Sequence, residues 1–163
     1  MKTLLLLRHA KSSWKDEDLD DHDRGLNKRG KSDAPRMGQL LKDENLIPDF
    51  ILSSSAKRCR KTAEHVTMAC GFRGETRFTV ELYEAPPDKI RQSLGQTADS
   101  FNRVLLVGHN PGLEEFLEQL HVGYTPLTTA ALAHLELDLE RWSDLSAVSQ
   151  ARLVRLWQPR ELA

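Results

Sequence analysis

KTLLLLRHAK (residues 2–11) decides how this chain is read, and RVLLVGHNP (residues 103–111) repeats its logic. In each segment a short, unbroken apolar run stops abruptly at a polar cluster that contains a histidine. Apolar runs without alternation suit strands buried on both faces, the situation of parallel sheets covered by helices. The polar cluster then lies at the carboxyl end of its strand, where open α/β sheets form their sites.

Working outward, residues 2–7 form the first expected strand, and residues 8–24, rich in Asp and Lys without apolar periodicity, form a loop. Asn27 offers an N-cap to a helix reaching about Lys42, which Pro35 is expected to kink or split. Residues 49–53 (DFILS) read as a second buried strand, with Ser54 and Ser55 as N-cap candidates for a helix to about Cys70, ended by Gly71 and Gly74. Residues 77–80 read as a third strand, and Pro86 and Pro87 open a short helix that Gly95 stops. Residues 103–107 are a fourth, followed by a helix with Asn110 as N-cap and Pro111 at its first position, ending near Gly123. Leu135, Leu137 and Leu139 alternate with acidic residues, as in a strand with one buried face, and residues 151–157 can be its antiparallel neighbour. The expected architecture is a three-layer α/β/α sandwich around a mostly parallel sheet.

At 163 residues and 18.5 kDa the chain fits one domain over residues 1–163. Its 39% apolar and 29% charged residues exclude a disordered or membrane-embedded class. A net charge of -1 argues against a non-specific nucleic-acid binder. The opening leucine run ends after Leu7, too short for an export signal or a membrane span, so the expected location is the cytoplasm. Cys59 and Cys70 fall on one predicted helix roughly 16 Å apart at 1.5 Å per residue, beyond disulfide reach. They are therefore expected to be reduced, with no metal-ligand partner nearby.

Arg8 and His9 follow the first strand, His109 follows the fourth, and Arg58 sits one turn into the helix after the second. The expected site thus gathers two histidines and two arginines. Phosphoryl transfer needs a positioned nucleophile and positive charge on the equatorial oxygens. A guanidinium fork grips two phosphate oxygens at once, and it also depresses a neighbouring imidazole's pKa, keeping the ring nucleophilic. The residues alone leave open which histidine attacks.

These segments resemble a known family. LRHA (residues 7–10) is similar to the RHG signature of the histidine phosphatase superfamily, SSAKRCRKT (54–62) to its second arginine segment, and GHNP (108–111) to its second histidine turn. RHAKSSW (8–14), LDDHDRGLNKRG (19–30), LYEAPPD (82–88) and LLVGHNPGLEE (105–115) resemble its SixA-type phosphohistidine phosphatases, over nearly the whole chain. The resemblance implies the phosphoglycerate-mutase-like fold and a covalent phosphohistidine on His9, with Arg8, Arg58 and His109 gripping the phosphoryl group. It implies no cofactor or metal, and a phosphohistidine-bearing signalling or phosphotransfer protein as substrate. Glu84 falls where larger members carry their proton donor, and Glu81, Asp18 and Asp21 are its rivals. Ala10 stands where many relatives have Gly, so ordinary backbone is expected there. About twenty residues separate Leu82 from Val104, which leaves no room for the long cap insertion of sugar-phosphate mutases. The pocket is therefore expected to be shallow and open.

Other readings of the site are a small-molecule phosphomonoesterase of the same superfamily and a phosphate-binding module without turnover. GLNKRGKS (residues 25–32) matches the P-loop pattern letter for letter, but no buried strand precedes it and no acidic residue ends another strand. Asp20, Asp21, His22 and Asp23 read as a solvated loop, within which Asp23 and Arg24 can pair at the pocket rim. Lys57, Arg60 and Lys61 spread around a helix without aromatic partners, a solvated face and not a nucleic-acid patch. His65, His121 and His134 stand alone and receive no role; Lys11, Ser12 and Ser13 line the pocket or solvate the loop.

Overall fold

A computed structural model describes residues 1–162; Ala163, the last residue of the expected domain, lies outside the described residues. Strands β1 (Lys2–Arg8), β2 (Phe50–Ser54), β3 (Glu75–Thr79) and β4 (Arg103–Gly108) are parallel, and β5 (Leu132–Leu137) and β6 (Ala151–Trp157) add an antiparallel edge. The sheet order is β3-β2-β4-β1-β5-β6. Helices α1 (Lys28–Asp43) and α2 (Lys57–Cys70) cover one face, and α3 (Pro87–Gly95) and α4 (Gly112–Gln119) cover the other.

The unbroken leucine run of β1 follows from this layering. Leu4 and Leu6 pack among α3 and α4 residues such as Leu94, Leu113 and Phe116, while Leu5 and Leu7 pack against Met37, Leu41 and Val66 of α1 and α2. All four leucines are completely buried. Each such burial contributes about 1.5–3 kcal/mol, so both faces of the strand select apolar residues.

Several expected boundaries move. β3 lies earlier than residues 77–80, because Val80–Leu82 turns into a short 3-10 segment. Pro35 does not split α1, which is capped at its start and packed through its interior. Asn27 Oδ1 accepts the Gly30 N–H at 2.9 Å, and a Cβ on Gly38 would stand 2.6 Å from the Val66 carbonyl oxygen, so α1 seats tightly on α2. Replacement Asn27→Ala removes that cap and is expected to lower stability by about 1 kcal/mol, roughly 2–4 °C in Tm by thermal unfolding.

Neither Ser54 nor Ser55 caps α2; Ala56 holds that position, because the Ser54 hydroxyl is used elsewhere. Asn110 does not cap α4, which starts at Gly112 with Pro111 as N-cap and ends at Gln119, before Gly123. The Asn110 amide instead donates to the Leu127 carbonyl at 2.9 Å. Cys59 and Cys70 are both free and buried on α2, as expected.

Candidate active site

Register builds the site. Arg8 at the end of β1 pairs with Gly108 at the end of β4, so the next residue on each strand, His9 and His109, leaves the sheet at the same level. Their ring centroids stand 5.4 Å apart. Ser53 of β2 pairs with Val107, which brings Ser54 up beside His109 from the other side. Both histidines are almost entirely buried.

The His9 ring is oriented by its own loop. Nδ1 lies 2.8 Å from the Ala10 carbonyl, which can only accept, so Nδ1 carries the proton and Nε2 keeps its lone pair. Ala10 has no positive φ, as expected, and its N–H donates to Thr62 Oγ1 at 3.0 Å. Ala130, itself left-handed at φ 63°, donates its N–H to the carbonyls of both Arg8 and His9. Burial, then the charges of Arg58, Arg8 and Arg24, push the His9 pKa down to about 4.

For His109, the Ser54 hydroxyl lies 2.8 Å from Nε2 and also accepts the Ala56 N–H at 3.2 Å, which fixes its place beside the ring. The Cys59 thiol faces the same nitrogen at 3.4 Å. On the other side of the ring, His109 Nδ1 faces Glu84 Oε1 at 3.3 Å. Burial, His9 and Arg58 lower the His109 pKa to about 3. Burial pushes the Cys59 thiol up to about 12, so it remains protonated and is no competing nucleophile at neutral pH.

Arg58 reaches this point from the first turn of α2 with its side chain 2% exposed. It donates to the Asp21 carbonyl at 2.8 Å, to Asp21 Oδ2 at 3.0 Å and to Glu84 Oε1 at 2.7 Å, and its Nη2 stands 3.4 Å from His109 Nδ1. Glu84 is held there by a backbone with φ 48°, a left-handed conformation that disfavours any residue with a Cβ. Arg8 leaves the same rim and donates to the Leu127 carbonyl at 3.0 Å, sharing that acceptor with Asn110.

His9, Arg58, His109 and Glu84 are thus brought together, with Arg8 alongside. The rivals of Glu84 are placed differently. Glu81 is exposed and pairs with Lys89 at 3.3 Å, Asp18 belongs to an exposed turn, and Asp21 is taken up by arginines. The expected pairing of Asp23 with Arg24 is replaced by Asp21 with Arg24 at 3.0 Å, because a 3-10 turn over Asp21–Asp23 aims Asp21 inward. The Tyr83 hydroxyl also donates to Asp21. Tyr83 first, then Arg58 and Arg24, hold the Asp21 carboxyl down to about 2. Sequence reasoning missed Asp21 as the anchor of Arg58 and Ser54 as the partner of His109, since these pairings span 37 and 55 residues.

The P-loop look-alike is a packing feature. Leu26 bridges to Ser12, Asn27 caps α1, and a Cβ on Gly30 would meet the Lys11 carbonyl at 2.2 Å. Its glycine lets a helix start lie against the loop after His9.

The family model described as histidine phosphatase superfamily, branch 1, matches residues 4–86. An uncharacterized chloroplastic protein of Arabidopsis thaliana is 33% identical over 162 residues, covering 91% of this chain and 72% of its own. The chain belongs to the histidine phosphatase superfamily. Among solved structures, a proposed phosphohistidine phosphatase SixA from Agrobacterium tumefaciens is 30% identical with TM-score 0.82, covering 97% of this chain and 98% of that one. The protein histidine phosphatase SixA complexed with tungstate shares the fold at TM-score 0.85 and 19% identity, over 99% of each chain. Alignments with mycobacterial relatives span 63% to 65% of those chains. This histidine phosphatase carries the SixA-like form of the fold: only α3 stands between β3 and β4 beyond the 3-10 turn. Among the described residues, no helix is long and apolar enough to cross a membrane.

Proposed function

We propose that this phosphatase hydrolyses phosphohistidine on a signalling or phosphotransfer protein of the cytoplasm, acting as one domain through a covalent intermediate on His9 and without a metal ion. The observation that carries the reading is the bond from His9 Nδ1 to the Ala10 carbonyl, which leaves Nε2 as a lone pair beside His109 and its Arg58. Arg8, Arg58 and His109 grip the phosphoryl oxygens, supplying the donors and positive charge that the transition state demands.

In the first step His9 Nε2 forms a bond to phosphorus while the bond from phosphorus to the substrate's nitrogen breaks. The departing nitrogen takes a proton, for which Glu84 in its acid form is the donor. Water then forms the new bond to phosphorus, the bond to His9 breaks and returns the pair to Nε2, and a water proton passes to the Glu84 carboxylate. Phosphate leaves. A protein substrate is supported by the short α3 connection, which adds no cap segment between β3 and β4, and by the SixA name of the Agrobacterium structure.

The test is hydrolysis of a phosphohistidine protein and of an aryl phosphate in the presence of EDTA. Both reactions are expected to proceed at the rate seen without chelator. Loss of turnover in EDTA, or turnover of the ester alone, overturns metal independence or the phosphohistidine assignment respectively. Replacement Glu84→Gln separates the two substrates further. Aryl phosphate turnover is expected to fall about 10²-fold, the lower range for removing a general acid, because an oxygen leaving group depends on protonation. Phosphohistidine turnover falls by less than about tenfold, since its ring can take a proton from water at the nitrogen remote from phosphorus and so leave as neutral imidazole without Glu84. Equal losses on both substrates remove Glu84 from the donor role.

A further inference from the structure

Beside the site, residues 11–15 and 26–32 enclose an open groove of about 1110 Å³ that the reaction does not use. It begins at Lys11, two residues after His9, and its cations are Lys11, Lys15, Lys28, Arg29 and Lys31. Among the described residues, no acidic side chain lines it. Arg29 pairs with Asp33 at 3.5 Å, but the four lysines make no salt bridge among the described residues, and all four are exposed. In a chain of net charge -1 this is a local concentration of charge and not a matter of composition.

One wall of the groove is Trp14, 70% exposed. Its ring is braced by the Arg24 guanidinium, 3.5 Å from the ring centroid. Arg24 also donates to Ser12 Oγ at 3.0 Å and pairs with Asp21, which holds Arg58. The wall is therefore tied to the phosphate-gripping arginines. Trp14 also borders a smaller pocket whose lining includes Asp16, Glu17 and Asp21 beside Arg24. It thus stands where the basic groove meets that pocket. An exposed tryptophan braced by a guanidinium at the edge of a basic groove has the anatomy of an interface anchor, and charge complementarity fixes the sign of what fills the groove.

We propose that this groove docks an acidic segment of the substrate protein next to the phosphorylated side chain, with Trp14 as the apolar contact. The proposal rests on the phosphoprotein reading above. The groove begins two residues from His9, so a segment lying in it holds the neighbouring phosphorylated side chain near the site. Inorganic phosphate would leave most of the groove unfilled, and a nucleic acid would lack a side chain to present to His9.

The probes are two synthetic peptides of equal length with a central phosphohistidine, one flanked by Asp and Glu, the other by Lys and Arg, together with their unphosphorylated forms. The variant is Lys15→Glu/Lys28→Glu/Lys31→Glu, all at exposed positions, with circular dichroism as the folding control. The acidic peptide is expected to exceed the basic one at least tenfold in kcat/KM, an advantage that shrinks as salt is raised. In the variant, KM for the acidic peptide rises at least tenfold, while kcat and aryl phosphate kcat/KM stay unchanged. An unchanged KM, or a parallel loss on aryl phosphate, overturns the proposal.

Failure of the phosphohistidine reading is seen separately, as aryl phosphate turnover with neither peptide dephosphorylated. Docking is then decided by fluorescence titration with the unphosphorylated peptides, in which Trp14 is the exposed reporter and Trp142 and Trp157 are buried. Tighter binding of the acidic peptide, weakened tenfold in the variant, sustains it. Equal binding of both peptides, or tighter binding of an oligothymidine of similar length, rejects it.

Discussion

Replacement His9→Ala is expected to reduce turnover by about four orders of magnitude or more, the scale of losing a covalent nucleophile. In the wild-type protein, denaturing quench during turnover of radiolabelled substrate leaves an acid-labile, base-stable phosphoryl adduct; in the variant it leaves none. The fold survives, because the His9 side chain makes one hydrogen bond, to the next residue, and Leu4–Leu7 anchor the strand before it. If the variant retains its adduct, His109 is the nucleophile and the assignment fails.

As the proposed nucleophile, the same imidazole is expected to set the acid limit of the reaction. Its pKa, pushed down to about 4, means that the nucleophile stays unprotonated as pH falls from 7 to 5. After correction for ionisation of the substrate, kcat/KM is expected to decline near pH 4 and not near the 6.5 of a free imidazole. Stability follows the same groups. The folded-state values of His9 and His109 lie below the unfolded one, so below pH 6.5 the unfolded chain takes up protons that the folded chain refuses. Their contribution is intact above pH 6.5 and is lost as pH falls through about 4 and about 3. Urea midpoints at pH 7, 5 and 4 should therefore decrease in that order, and the decrease should be smaller in His9→Ala.

The second large effect is at Arg58. Replacement Arg58→Ala is expected to lower kcat/KM by roughly 10²–10³, the cost of removing a preorganised donor from a phosphoryl transition state. Arg58→Lys should recover only part of this, because a point charge cannot replace a fork that spans Asp21, Glu84 and the phosphoryl oxygens. Arg24 and Tyr83 still hold Asp21 in both variants, so the loop keeps its place and added guanidine should restore activity to Arg58→Ala. If Arg58→Lys is as active as the wild type, the bidentate role is wrong. If Arg58→Ala unfolds instead, Arg58→Lys still decides the question, since it keeps the charge between the two carboxylates.

Much of this arrangement is legible in the amino-acid sequence. Residues 2–7 and 103–107 carry their burial in their own composition, because a strand covered on both faces admits apolar side chains at every position. The cap at Asn27 is legible for the same local reason, an oxygen three residues before the N–H it accepts. The failures share one cause. Pro35 reads locally as a helix breaker, but packing through Gly38 onto α2 outweighs a missing N–H. Asn110 and Ser54 read as caps from their immediate neighbours, whereas their side chains are taken by Leu127 and His109, 17 and 55 residues away. Nothing local distinguishes Asp21 from Asp20 or Asp23; only the turn that aims it at Arg58 and Arg24 does.

By itself, the sequence determined the layered α/β class, the strand ends at which chemistry could gather, and the two histidines and two arginines delivered there. Those are consequences of periodicity and of where apolar runs stop, and they need no knowledge of distant partners. Tertiary structure alone decided that Arg8 and Gly108 stand opposite each other, that the His9 imidazole carries its proton on Nδ1, and that Glu84 rather than Glu81 overlooks the site. Strand register and hydrogen-bond partnership are long-range choices among many locally equivalent pairings, and only the packing of the two helical layers onto the sheet selects one.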